Sequence, residues 1–257
     1  MNMLFVFYAF FKNVIIIKED SIEFNECEMV KKMAEVEILK TKDNLADGLV
    51  GIHRVITRGF QITDDTLQHM LQQTALETQY FNGFLDYLRS LITLIHAHHS
   101  TEDKIVFPMF GTKTLEAPYD LLTKGHVKME ALINEIKPLI DRLANDVQDT
   151  GTITKIHTLI QACYETWASH IEIEECRFSE HAIGTHLSLQ EQKQIAQEIG
   201  QHMAQTAKPD YLILPFIVYN LAESDRPRMR PFLPPNITAL LTTWNNQWAS
   251  MKPFLLD

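Results

Sequence analysis

The chain has 257 residues, 46% hydrophobic and 22% charged, which is typical of a soluble globular protein with one large domain or a smaller domain with an appendage. Its formal net charge of −10 argues against a nucleic-acid surface, because phosphate binding requires an excess of lysine and arginine. Cys27, Cys163 and Cys176 are too few and too scattered for a disulfide framework. We therefore expect a cytoplasmic protein in a reducing compartment.

Residues 1–17 are strongly apolar and aromatic, and three interpretations compete for them. A signal peptide would have a basic start and a small-residue cleavage site, and both are missing. A membrane span would need about 20 apolar residues, and Lys12 interrupts this stretch. The third interpretation is that the stretch is not native and that Met29 or Met33 is the real start. We therefore treat residues 1–42 as an N-terminal extension that is either poorly ordered or not native, and we do not expect a membrane role.

The spacing of apolar residues and the positions of glycine and proline predict a series of helices in the rest of the chain. In chain order the predicted helices cover Asp43–Phe60, Asp64–Leu71, Leu76–Met109, Ala117–Asn145, Gly151–Glu180, Ser188–Ala207 and Asn236–Met251. No useful stretch alternates with the period of two that a strand requires. We therefore predict an all-α fold, with a bundle over residues 43–184 and a C-terminal helical segment, residues 185–257, packed on it.

On three of these helices a histidine is followed by a glutamate four positions later, so that the two side chains lie one turn apart and can hold one ion. The pairs are His98 with Glu102, His126 with Glu130, and His170 with Glu174. His53 adds a fourth histidine from the first helix. Imidazoles and carboxylates offered from four helices are the ligand set of a buried iron pair in a helical bundle.

Each of these four histidines lies on the apolar stripe of its helix; Leu94 and Ile95, for example, flank His98. A single histidine on such a face is more often a hydrogen-bonded core residue than a ligand. Burying so many polar groups without partners would cost a few kcal/mol each, whereas shared metal ions would satisfy them together. Nitrogen and carboxylate donors suit iron or manganese better than structural zinc, which prefers thiolates. The repetition across four helices therefore favours a metal site.

Other metal motifs are absent from the sequence. The chain has no Glu-x-x-His pair of the ferritin-like class, no His-Glu-x-x-His box and no Cys-x-x-Cys.

The segment from His98 to Asp103, followed by Val106-Phe107-Pro108, resembles the most specific stretch of the hemerythrin-like, or HHE cation-binding, domain family. His53-Arg54, His126 and the segment from His170 to Glu175 complete the order of that family. The resemblance covers about residues 43–182, and the tail from Leu212 is more weakly similar to longer bacterial members. It implies an up-down four-helix bundle of hemerythrin type with additional C-terminal helices.

The resemblance also implies two iron ions, Fe2+ or Fe3+, joined by an oxo or hydroxo bridge. The terminal ligands would be His53, His98, His126 and His170, and the bridging carboxylates would be Glu102 and Glu174. O2, NO or H2O2 would bind at an open position on one iron.

The chain departs from the oxygen-carrying members, which have a His-x-x-x-His pair on the third helix where this chain has Glu130 as the second member. Either Glu130 is a ligand, or His99 supplies the missing histidine. A third carboxylate would favour the ferric state, so we expect peroxide handling, NO binding or iron homeostasis rather than reversible O2 transport. The alternative function is a metal-occupancy sensor or interaction module without turnover, whose C-terminal segment from Ser188 binds a partner, and the third hypothesis is a purely structural bundle.

Overall fold

The computed structural model describes residues 44–72 and 77–256. Helices and turns account for these residues, and no strand occurs among them, which confirms the predicted all-α class. The interpretations of the N-terminal extension lie outside the described residues. Among the helices that are described, none combines the length and the apolar composition that crossing a membrane requires.

Four long helices form an up-down bundle. In chain order the elements are α1 (Leu45–Gln72), α2 (Thr78–Thr101), a π-helical turn (Glu102–Val106), α3 (Phe107–Thr112), α4 (Tyr119–Asn145) and α5 (Thr150–Arg177). Helix α1 packs against α2 and α5, and α4 packs against the same two helices, so the four long helices close a ring. Successive long helices run in opposite directions, because a 28-residue helix is about 42 Å long and the short link between α4 and α5 cannot return the chain to its starting level.

Helix α1 is continuous, so the helix boundary predicted at Asp64-Asp65 is wrong. The side chains of Thr63, Thr66 and Leu67 are buried, which means that the buried face of α1 runs straight through the predicted break. Asp64 forms an ion pair of 2.9 Å with His157 instead of capping a new helix. Packing against α5 therefore outweighs the local preference of the aspartates for a helix start.

The C-terminal part of the described chain consists of shorter helices. They are α6 (Glu180–His186), α7 (Leu189–Thr206), α8 (Asp210–Tyr219), α9 (Arg226–Met229), a 3-10 turn (Arg230–Phe232), α10 (Ile237–Thr243), α11 (Asn245–Trp248) and a final 3-10 segment (Ala249–Phe254). The Ser188 hydroxyl accepts from the Glu191 amide and the Glu191 side chain accepts from the Ser188 amide, a capping box that explains where α7 begins. The predicted helix over Asn236–Met251 is divided into three pieces.

These C-terminal elements pack directly on the bundle. Apolar residues of α8, such as Phe216, share one core with α1 and α2. The final 3-10 segment crosses α2 at Gly83, where a Cβ atom would collide with the carbonyl oxygen of Ser250. Glycine at this position therefore permits the close approach of the two backbones. The division at residue 184 into two domains stays a prediction.

A buried polar network joins α8 and the last segment to the bundle. The Asn220 side-chain oxygen accepts hydrogen bonds from the Tyr87 hydroxyl, at 2.7 Å, and from the Arg58 guanidinium. Arg58 also donates to the Phe254 carbonyl oxygen at 2.9 Å. We expect Asn220→Ala to lower the free energy of unfolding by about 2–3 kcal/mol, because the Tyr87 hydroxyl and the Arg58 guanidinium then lose the buried acceptor that they share.

Chemical denaturation of the full chain at constant metal content measures this effect. Asn246→Ala, at an exposed position, is the control and should change the free energy of unfolding by less than about 0.5 kcal/mol. Equal stabilities of the two variants would show that the network does not hold the segment in place.

Candidate metal centre

The antiparallel order of the bundle brings the predicted histidines to one level. His53 lies near the start of α1 and His126 near the start of α4, whereas His98 and His170 lie near the ends of α2 and α5. Because the helices alternate in direction, all four positions fall at the same end of the bundle. Each of the four side chains is only 1–4% exposed, so the rings point into the interior.

The first group of candidate donors contains two histidines and two glutamates. It consists of His53, His98, Glu102 and Glu174, and one ligand atom from each lies within 4.8 Å of the others. The His53 Nε2 atom is 3.3 Å from Glu174 Oε2, and the His98 Nε2 atom is 3.4 Å from Glu102 Oε1. This group has the size and the donor types of a single cation site.

The second group shares both glutamates with the first. It consists of Glu102, His126, His170 and Glu174, again with ligand atoms within 4.8 Å of one another. The His126 Nε2 atom is 3.3 Å from Glu102 Oε2, and the His170 Nε2 atom is 3.1 Å from Glu174 Oε1. The two imidazole nitrogens face each other at 3.0 Å. Glu102 and Glu174 thus each direct one carboxylate oxygen to a histidine of the first group and the other oxygen to a histidine of the second group.

The donor atoms lack the partners that buried polar groups require. Both carboxylate oxygens of Glu102 and of Glu174 are buried without a hydrogen bond, as are the Nε2 atoms of His53 and His98. Leaving a buried polar group unsatisfied costs about 1–3 kcal/mol, and a charged one costs more. Divalent cations would satisfy all of these atoms together, so the residues fit the metal ions that the resemblance implies. Neither group includes a cysteine, which argues against a structural zinc site.

His99 and Glu130, the two alternatives left open by the sequence, are placed differently. His99 forms a third group with His126 and His170, and its ring stacks on His126 with centroids 4.2 Å apart. Both ring nitrogens of His99 are buried without a hydrogen bond. Glu130 belongs to none of the groups; its Oε1 atom is 3.9 Å from His99 Nδ1, and its Oε2 atom is 3.0 Å from His96 Nδ1. Among the described residues no third carboxylate belongs to these groups, so the reason given against O2 transport does not apply.

Two further carboxylates contact the outer nitrogens of the histidines. The His53 Nδ1 atom is 3.1 Å from Glu175 Oε1, and the His126 Nδ1 atom is 2.9 Å from Asp103 Oδ1. Such contacts hold a ring in one orientation and in one tautomer, with the other nitrogen directed inward. The role of Glu175 could not be predicted from the sequence, because a residue adjacent to Glu174 on a helix points away from the same ion.

Apolar and aromatic residues enclose the donor groups on both sides. The Trp167 ring lies 5.5 Å from the His53 ring and 5.6 Å from the His98 ring between centroids, and its Nε1 atom donates to Thr57 Oγ1 at 2.9 Å. On the other side, Phe107 stacks on His126 with centroids 5.5 Å apart. These contacts keep water away from the polar groups.

Glycine at position 125 makes room for one of the histidines. A Cβ atom at Gly125 would lie 3.0 Å from the His170 Nδ1 atom, which is closer than an ordinary van der Waals contact. The backbone of α4 can therefore approach the His170 ring, and the two nitrogens of His126 and His170 come together.

The π-helical turn contributes to the shape of the site. It begins at Glu102, and the Phe107 amide donates to the Glu102 carbonyl oxygen. A π turn adds one residue to a helix and is frequent at functional sites. It lets Glu102 and Phe107 both face the interior. There the Glu102 carboxylate contacts the His126 Nε2 atom, and the Phe107 ring stacks on the His126 ring.

Proximity and burial shift the pKa values of the donors in the cation-free protein. Burial raises the pKa of Glu102 to about 7, and the charge of Glu174 adds to this rise. Burial alone would lower the pKa of His53, but Glu174 and Glu175 overcome this effect and raise it to about 10. Burial, with His53 beside it, lowers the pKa of His98 well below its usual value. Protons on His53 and Glu102 therefore compete with cations for the site.

The fold and the site define a cation-binding protein built on a four-helix bundle. The family model described as Hemerythrin HHE cation binding domain matches residues 44–181, which is more than half of the chain. The chain belongs to this family, and the predicted resemblance is confirmed. Searches of curated proteins and of solved structures found no match to the chain.

Proposed function

We propose that the protein is a non-haem di-iron protein that binds a small molecule, O2, NO or H2O2, at the metal pair, or serves iron homeostasis through the same pair. The observation that carries the proposal is that Glu102 and Glu174 belong to both donor groups. Two groups that share two carboxylates are the arrangement that a pair of bridged cations requires. Nitrogen and oxygen donors without thiolates favour iron or manganese over structural zinc.

In this proposal the first and the second donor group each hold one ion. His53 and His98 are the terminal ligands of the first iron, and His126 and His170 are those of the second. His99, whose ring lies against His126, completes the second set, and its position supports it over Glu130 as the missing histidine. Glu130 lies on the outer side of the His99 ring, with its Oε1 atom 3.9 Å from Nδ1, and so leaves the other ring nitrogen to the ion.

Bound iron supplies Lewis-acid and redox chemistry for a small ligand. The residues of the chain bind and orient the ions and exclude water. Glu175 accepts a hydrogen bond from the Nδ1–H group of His53, and Asp103 accepts one from the Nδ1–H group of His126. The Nε2 lone pairs of both rings are therefore directed inward. Trp167 and Phe107 close the two sides of the site.

Iron analysis and absorption spectroscopy of protein expressed in iron-supplemented medium test the proposal. We expect about two iron ions per chain and a near-ultraviolet band that changes on adding H2O2, NO or O2, because bridged ferric ions absorb there. His98→Ala should lose iron, whereas His181→Ala, at an exposed position outside the donor groups, should keep it. A colourless protein that cannot be reconstituted with iron would exclude a di-iron function.

Melting curves of the same preparations, recorded beside the absorption spectra, address the alternative of a sensor without turnover. Helix α7 packs against the π turn that begins at Glu102, and His202 on α7 lies 3.0 Å from the Ser100 hydroxyl. A change at Glu102 on cation binding would therefore reach the C-terminal elements directly. Iron loading that raises the melting temperature without any reaction with the three small molecules would favour this alternative.

A further inference from the structure

A cavity lies between the bundle and the C-terminal helices, beside the metal centre. Its volume is about 230 Å³. Residues of α1, α2 and the π turn form its inner wall, and residues of α7, α8 and α10 form its outer wall. His98 and Glu102 are part of the inner wall, so the cavity reaches the first donor group.

The lining is almost entirely apolar. Side chains such as Leu49, Ile213, Met229 and Phe232 form most of the surface. Among the described residues that line the cavity, none is a lysine or an arginine. The acidic residues are Glu102 at the inner end and Asp210, which forms an ion pair with Lys208. An anion would therefore meet no positive partner in this cavity, and its burial there would be costly.

The polar atoms at the inner end do not face the cavity. His98 Nε2 and both carboxylate oxygens of Glu102 are buried and form no hydrogen bond. The proposed function assigns these atoms to the metal ions, so a ligand in the cavity is held by the apolar walls alone. Since a cavity of about 150 Å³ holds benzene, the volume here suits roughly nine non-hydrogen atoms.

We propose that this cavity is a binding site for an uncharged, largely apolar organic molecule of roughly nine non-hydrogen atoms, held by the apolar side chains of the cavity walls. Such a molecule is larger than O2, NO or H2O2 and lies beside the metal centre. Binding depends on the cavity walls and not on occupancy by iron, so the inference can fail while the di-iron function stands, and the reverse.

Calorimetric titration of the full chain, as purified, with 1-octanol tests the proposal. We expect one saturable site with a Kd on the order of 10–100 µM. Octanoate, which has the same chain and a negative end group, should bind at least about tenfold more weakly because no cationic side chain faces it. Tighter binding of octanoate, or no saturable binding of octanol, would overturn the proposal.

Filling the cavity is the second part of the test. Gly200 lies on the outer wall, and no atom stands within 4 Å of a Cβ atom added there. We expect Gly200→Leu to weaken octanol binding at least about tenfold while the helix gains stability, because leucine is the better helix former. Gly184→Leu is the matched control, since its added Cβ atom also meets nothing within 4 Å and Gly184 does not line the cavity.

Ala204→Phe provides a second filling variant on the same wall, in case Gly200→Leu does not fold. Iron content, measured on each preparation, should be the same in the wild type and in the variants. Octanol affinity that is unchanged in both filling variants, or several octanol molecules bound per chain, would show that the ligand binds elsewhere and would refute the assignment.

Discussion

Glu174→Gln should remove both iron ions, whereas His53→Ala should remove only one. Glu174 contacts histidines of both donor groups, His53 at 3.3 Å and His170 at 3.1 Å, so a neutral amide there weakens two ion sites together. His53 belongs to one group only. We expect iron to fall from about two per chain to below about 0.5 in Glu174→Gln, and to about one in His53→Ala.

Metal analysis after gel filtration measures these contents, and titration with Fe2+ under anaerobic conditions measures the affinities. Glu172→Gln, an exposed position on the same helix, is the matched control and should bind iron like the wild type. The amide has nearly the same shape as the carboxylate, so circular dichroism should show a folded bundle in each variant. Loss of a single ion from Glu174→Gln would contradict the sharing of this carboxylate.

Cation affinity should increase steeply with pH. The pKa of His53 is raised to about 10, chiefly by Glu174 and Glu175 against the effect of burial, and burial raises the pKa of Glu102 to about 7. The protonated form of either group cannot bind a cation, so acid weakens binding. Between pH 7 and 8 the proton of His53 must leave, and below pH 7 further protons leave from Glu102 and from His126. Burial alone would lower the pKa of His126, but Glu102 and Asp103 raise it. We expect affinity to rise at least about tenfold per pH unit above pH 7 and more steeply below it.

Titration with Mn2+, which avoids oxidation of the metal, gives these affinities between pH 6 and pH 8. Calorimetry in buffers of different ionisation enthalpy counts the protons directly, and at least about one proton, that of His53, should leave per molecule at pH 7. An affinity that stays constant from pH 6 to pH 8 would mean that neither group carries a proton in the cation-free protein.

The sequence was sufficient to predict the bundle and most members of the candidate donor groups. The His-x-x-x-Glu pairs at His98 and His170 lie on apolar stripes, and the stripe is what identifies the unpaired His53. These positions depend on the helical period alone, which the fold preserves. Their convergence required the antiparallel order of helices, which the family resemblance implied and the structure has.

Other features depend on contacts between helices that no local pattern encodes. Glu130 has the same spacing from His126 as Glu102 has from His98, yet it contacts His96 and lies outside the donor groups. The π turn at Glu102 changes which residues face inward after it, and a period of 3.6 cannot reveal it. The continuous helix through Asp64 likewise reflects packing on α5 rather than the preference of the residue itself.

The family match ends at residue 181, whereas the outer wall of the cavity comes from later residues. Membership of this family therefore predicts the cation-binding residues and does not predict which molecule the cavity binds. Two relatives with identical imidazoles and carboxylates can admit different guests if the covering helices differ. The selectivity for organic ligands then depends on the C-terminal helices, whose sequence can diverge while the metal ligands stay the same.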